Sequence, residues 1–299
     1  MIFADMKGNI GNQMFIYACA RKIQAETGDT ILISTYYLKK NDPSYKFNLD
    51  IFRLNPNVII TDKKIPFFAS TESKFLRAFR KLTFNKLWFQ KLYFKFMSLF
   101  NVFAWNGVTY LKIKLRNRKN VYLSGYWQSP DYFEGIEDIL KDEFTVKKEL
   151  DSKNVDFLDQ IKTLNSVCVS IRRGDYLSNP KVKKKHFVCD TPYFVNAVKT
   201  ICNVVSNPTI ICFSDDPQWV KENMSFGLPT IYESEGNTIE DKITLMRNCK
   251  HFVLSNSSFS WWVEYLSDWP NKKVVAPSTW YANGMQTDIF QKYWLLIDA

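Results

Sequence analysis

At 299 residues the chain is long enough to fold as one large domain or two of medium size, and two is the prior expectation. A composition that is 46% hydrophobic and 16% aromatic, with only 10 Gly and 11 Pro, excludes disordered and fibrous classes. The formal net charge of +10 suits nucleic acid, an anionic membrane surface or a phosphorylated substrate. No Asp or Glu occurs from Ser73 to Pro130, where twelve Lys and Arg fall, so the excess charge belongs to one segment and the rest of the chain is slightly acidic. Cys19, Cys168, Cys189, Cys202, Cys212 and Cys249 are scattered, without a CxxC pair or zinc-finger spacing. They read as reduced core thiols, which predicts a cytoplasmic protein. The N-terminus lacks a signal-peptide pattern, and no window reaches about 18 uncharged apolar residues, so neither export nor a bilayer span is expected.

In chain order, Ile2 to Ala4 predicts a strand, MKGNIGNQ a Gly- and Asn-rich turn, and FIYACARKIQAET a helix capped at its C-terminus by Gly28. Ile31 to Ser34 is the next strand, which completes the start of an α/β unit. From Phe75 to Leu115, aromatic and leucine side chains interleave with lysines and predict one or two amphipathic helices in a basic insert of about 73–120. Two readings of that insert stay open: a membrane-interface face, or an aromatic face packed on the protein with its lysines in water. Nucleic acid is not expected, because no recognised binding motif accompanies the charge.

Val121 to Trp127 predicts a strand and IEDILKDEF a helix, and KKELDSKN over residues 147–154 marks a domain boundary, giving domains of 1–150 and 151–299. SVCVSI, TIICFS, HFVLSN and KVVAPS then read as strands alternating with helices, the first of which starts at Thr191 with Pro192 in its opening turn. Such alternation implies a parallel sheet, whose ligands bind beyond the carboxyl ends of the strands.

Four segments carry chemistry, and three of them lie at those ends. Arg172 and Arg173 in SIRRGDY end a buried strand, where a guanidinium fork suits phosphate oxygens; the alternative is a salt bridge with Asp175. Asn256, Ser257 and Ser258 lie where a strand gives way to a helix, whose unpaired N–H groups and dipole favour an anion, although Ser and Asn serve equally as plain caps. Asp215 and Asp216 can bind ribose hydroxyls or a guanine edge, or cap the next helix. GNIGNQ lets backbone approach a ligand at Gly8 and Gly11 and offers the amides of Asn12 and Gln13, but it is not the GxGxxG dinucleotide fingerprint. No DxD occurs, so a metal-nucleotide site is not expected.

Taken in order, GNIGNQMFIYA, YLSGYWQSPDYF, SIRRGDYL, HFVCDTPYF, FSDDPQW, LMRNCKHFVLSNSSFSWWVEYL and PSTWY resemble the bacterial alpha-1,2-fucosyltransferases of glycosyltransferase family 11 over nearly the whole chain. That resemblance implies a GT-B-like α/β fold of two facing Rossmann-like domains around a central cleft. The N-terminal domain would take the acceptor and the C-terminal one GDP-fucose, with inversion at the fucose carbon and no cofactor or metal. It places Arg172 on the β-phosphate with Arg173 supporting the loop, Ser257, Ser258 and Phe259 along the pyrophosphate with Asn256 beside them, and Asp215 or Asp216 at the nucleoside. Asn12 would face the cleft, and Gln13 and His186 are acceptor-side candidates.

Ser170, a donor-side candidate, stands where the family has His; it can donate one hydrogen bond but carries no charge, so either Arg172 suffices or donor binding is weakened, and Asn9 replaces a second Gly of the opening motif. Asp175 and His186 are candidate general bases, beside a dissociative path that needs little base. The implied acceptor is a galactose-terminated oligosaccharide or lipid-linked surface glycan, with peripheral contact at the inner face of the membrane. Transfer in another linkage, or a non-catalytic nucleotide-sugar or glycan-binding protein, are the rival readings.

Overall fold

The computed structural model of the chain describes residues 1–41, 45–83, 85–116, 120–174 and 180–299. Two compact units result, one of Met1–Thr145 with Thr287–Phe290 and one of Val146–Gln286 with Gln291–Ala299.

The first unit runs β1 (Ile2–Asp5), α1 (Ile10–Thr27), β2 (Ile31–Ser34), α2 (Tyr36–Asn41), β3 (Val58–Thr61), α3 (Lys74–Leu82), α4 (Leu87–Met97), β4 (Val102–Ala104), β5 (Val121–Ser124) and α5 (Glu137–Glu143). Its sheet has the order β3-β2-β1-β5-β4, and every neighbour pairs in parallel. Helix α1 closes at Gly28, whose N–H reaches the Gln24 carbonyl at 2.8 Å. A buried ion pair fastens α5 to α1: Arg21 Nε donates to Glu143 at 2.8 Å and the Tyr17 hydroxyl donates to the other carboxylate oxygen at 2.6 Å. The basic segment holds both predicted helices and also β4, which the sequence does not announce because three residues show no periodicity. The strand predicted to run to Trp127 ends at Ser124 instead, and Trp127 adopts φ +54.

The second unit runs α6 (Val155–Thr163), β6 (Ser166–Ile171), α7 (Pro180–His186), α8 (Thr191–Cys202), β7 (Thr209–Ser214), α9 (Pro217–Asn223), β8 (Thr230–Tyr232), α10 (Ile239–Arg247), β9 (His251–Leu254), α11 (Ser258–Tyr265), β10 (Val274–Pro277) and β11 (Leu295–Ile297). This sheet is also parallel, in the order β11-β10-β9-β6-β7-β8. All six residues of β6 are buried, as a strand covered on both faces must be, whereas edge strands β8 and β11 are only partly covered. Residues of α8, including Tyr193, Phe194, Ala197 and Ile201, fill one side of the β6 and β7 core. Buried Glu264 of α11 accepts from Lys272 Nζ (2.9 Å), the Tyr293 hydroxyl (2.9 Å) and Trp294 Nε1 (3.2 Å), which holds this helix to the C-terminal segment.

Candidate active site

In the second sheet the chain moves outward from β6 through β7 to β8, then returns to the other side of β6 with β9. The order reverses between β6 and β9, and such a reversal leaves a crevice at the carboxyl ends of the two strands. Arg172 and Arg173 follow β6, Ser255 to Ser258 follow β9, and Asp215 and Asp216 follow neighbouring β7. Three of the four predicted segments therefore share one sheet edge.

The β6–β7 register pairs Ile171 with Ser214, which sets Arg172 beside Asp215. Arg172 Nη1 lies 2.8 Å from Asp215 Oδ2, and the other carboxylate oxygen accepts the Arg173 backbone N–H at 2.8 Å. Arg173 Nε donates to Asp216 at 3.2 Å while its guanidinium stacks 3.1 Å from the centre of the Trp219 ring. Arg172 keeps about a third of its side chain in solvent (35%), so the charge is both oriented and accessible. A Cβ on Gly174 would sit 2.6 Å from Asp215 Oδ2, so a larger residue there would have to push that carboxylate aside. Behind it, Lys242 Nζ donates to the Ser214 carbonyl (3.0 Å) and to buried Glu233 (2.9 Å), while Glu233 accepts the Ser214 N–H (3.0 Å), fixing the end of β7.

Ser257 caps α11 by accepting the Phe259 N–H at 3.3 Å, and Ser258 and Phe259 form the opening turn, where no acidic residue offsets the helix dipole. Ser170 is buried and shares a 2.7 Å hydrogen bond with Ser260, which in turn shares one of 3.1 Å with Ser255. Its hydroxyl thus ties β6 to the first turn of α11. Asn256 is buried as well, with its amide donating to the carbonyls of His186 (2.7 Å) and Trp280 (2.9 Å). It anchors the end of α7 and the Trp280 loop to the end of β9. The His186 ring packs on Tyr281, with centroids 5.5 Å apart. Asp175 lies outside the described residues.

The first sheet reverses its order between β1 and β5. Gly8, at φ +64, follows β1, and a Cβ there would meet Asn12 Nδ2 at 2.5 Å. Asn12 Oδ1 accepts from Gln128 Nε2 at 2.8 Å. The left-handed Trp127 precedes Gln128, and strain of this kind gathers at functional loops. Gln13 is fully buried and structural in its contacts: its amide donates to the carbonyls of Gly8 and Lys46, both at 2.8 Å, and accepts the Asn48 N–H at 2.9 Å. Sequence reading gave no part to Trp219, Lys242, Glu233 or Gln128. Trp219 and Gln128 stand inside motifs already marked, FSDDPQW and YWQSPDYF, which was the one signal available.

The model for Glycosyl transferase family 11 matches residues 1–298. The chain is 29% identical to an alpha-1,2-colitosyltransferase of Escherichia coli, over 94% of this chain and 92% of that enzyme. It is 25% identical to the Homo sapiens galactoside alpha-(1,2)-fucosyltransferase 1, over 48% of this chain and 42% of that one. Among solved structures it is similar to the alpha-1,6-fucosyltransferase NodZ soaked with GDP-fucose, at a TM-score of 0.51 and 10% identity, over 93% of this chain and 94% of that chain. Two parallel-sheet α/β domains with that likeness make the fold GT-B-like. With its whole length matched by the family model, the chain belongs to glycosyltransferase family 11.

Proposed function

We infer that this transferase moves L-fucose from GDP-fucose to a galactose hydroxyl of a surface glycan in α-1,2 linkage, inverting the anomeric carbon without a metal. The observation that carries the reading is the placement of an oriented arginine pair beside the N-terminus of α11 at one switch point, an arrangement suited to a diphosphate. The bond between the anomeric carbon and the phosphate oxygen breaks through an oxocarbenium-like state while the acceptor oxygen attacks the opposite face. The electron pair of the broken bond leaves on the diphosphate, so negative charge grows where Arg172 and the α11 amides stand ready, and donors fixed in advance stabilise it. Asp175 and His186 are the candidate groups to take the hydroxyl proton.

Metal independence is supported by the engagement of Asp215 and Asp216 with arginines, which makes both poor cation ligands. In this reading they orient the arginines rather than the nucleoside.

Similarity to the colitosyltransferase favours a second donor. Colitose is fucose without its 3-hydroxyl, so the diphosphate machinery is common to both and discrimination rests on contacts to that one group. The test supplies GDP-fucose and GDP-colitose in EDTA with lactose, N-acetyllactosamine or galactose-β-1,3-N-acetylgalactosamine, and reads product linkage by NMR. An α-1,2-fucosyl product is expected. A colitosyl product alone selects the second donor, and absence of both transfer and GDP release overturns both readings.

A further inference from the structure

Helices α3 and α4 carry apolar side chains on two faces, and the protein uses only one of them. Inward, Leu76 is buried, Phe94 packs against Phe103 and Trp105 with centroids 5.7 and 6.3 Å away, and the Tyr93 hydroxyl donates to the Phe68 carbonyl at 2.6 Å. Outward, Trp88, Leu92 and Phe96 follow one another at successive turns of α4, each 57–58% exposed, and Leu99 and Phe100 extend the row. On α3, Phe75 and Leu82 (78%) are exposed, and exposed Phe67 packs edge-on against Phe75 at 5.4 Å. A surface helix normally turns polar residues outward, and clustered exposed apolar side chains mark a binding face.

Charge identifies what covers it. Lys81, Lys86, Lys91 and Lys95 are exposed, with Lys91 and Lys95 one turn apart alongside the Trp88–Leu92–Phe96 row. No acidic residue lies between Ser73 and Pro130 to neutralise them. Arg77 is already paired with Glu72, and Arg80 donates to the Thr71 carbonyl, so the lysines supply the outward charge. A second copy docking by this same face would set lysines against lysines. Aromatic rings beside long lysine stems instead match an anionic bilayer, where rings reach the acyl boundary and ammonium groups stay at the phosphates. We propose that α3 and α4 lie in the plane of an anionic phospholipid surface with this face inserted. The inference stands on these helices alone and holds whichever sugar is transferred.

The test is cosedimentation of the full chain with vesicles of phosphatidylglycerol and phosphatidylcholine, against pure phosphatidylcholine. Binding only to the anionic vesicles is expected, falling as salt rises. Two variants are read beside the wild type: Trp88→Ser/Leu92→Ser/Phe96→Ser, and Lys81→Gln/Lys86→Gln/Lys91→Gln/Lys95→Gln. Each weakens vesicle affinity at least about tenfold while keeping the wild-type thermal transition, since every position is exposed. No binding, equal binding to pure phosphatidylcholine, binding untouched in both variants, or a lipid-free dimer that the serine variant dissolves would overturn the proposal; the last would assign the face to a second copy.

Discussion

Arg172 and Arg173 are adjacent in the chain yet bonded to different carboxylates, Asp215 and Asp216, just beyond the end of neighbouring β7. The arginine pair and the Ser257 cap were legible in the sequence because each is a local pattern: charge after an apolar run, and a hydroxyl before a helix. The pairing of Arg172 with Asp215 was not: the β6–β7 register brings that carboxylate alongside, and register is a long-range property, while Asp175 lies outside the described residues. Ser170 and Asn256 were marked for the donor; the structure shows the first hydrogen-bonded to Ser260 and the second to two carbonyls, inward roles that a single sequence does not reveal.

Asp215→Asn keeps the fold but removes the Asp215–Arg172 ion pair, and kcat for transfer falls at least about tenfold, measured by steady-state kinetics. Gly174→Ala forces the Asp215 carboxylate aside and lowers kcat in the same direction, with a thermal transition close to wild type because the residue is exposed. Wild-type rates in both variants would remove Asp215 from the positioning of Arg172.

Among the elements, β6, β7 and β9 read clearly because strands buried on both faces are continuous apolar runs. The edges did not: β3, β8 and β11 are three or four residues long and partly exposed, and β3 even exposes Ile59 and Ile60. Their pairing comes from the sheet they join, not from their own pattern.

The packing of α5 on α1 rests on Glu143, and Glu143→Ala should destabilise the protein by roughly 3–5 kcal/mol in denaturant unfolding because it leaves Arg21 buried and uncompensated. Glu72, just before α3, behaves differently with pH. Burial alone would raise its carboxyl, but Lys7 and Arg77 outweigh that and hold it at about 2, against an ordinary 4.5. A depressed folded-state value gives stability that is complete above 4.5 and is lost as pH falls toward 2. Thermal melts should therefore show wild type ahead of Glu72→Gln near neutrality and the gap closing through that window; a gap that ignores pH would refute the pairing.

At the scale of the molecule, two parallel α/β units with a GT-B-like fold agree with the class read from alternating strands and helices and from the resemblance to family 11. Among the described residues no helix is long and apolar enough to cross a membrane, and the lipid contact proposed for α3 and α4 is one of a surface, not a span. What was least visible from sequence is the reversal of strand order in each sheet, because it depends on which side of the first strand each later strand joins. That reversal gathers the arginines, the two aspartates and the α11 turn at a single edge.

We propose that this edge stabilises a departing diphosphate. The direct measurement is GDP released and sugar transferred from GDP-fucose in EDTA, by wild type and by Arg172→Ala at equal concentrations. Metal-free transfer by the wild type and a loss of at least about 100-fold in the variant are expected. Transfer by Arg172→Ala at the wild-type rate, or a wild-type protein that neither binds GDP nor releases it, would contradict it.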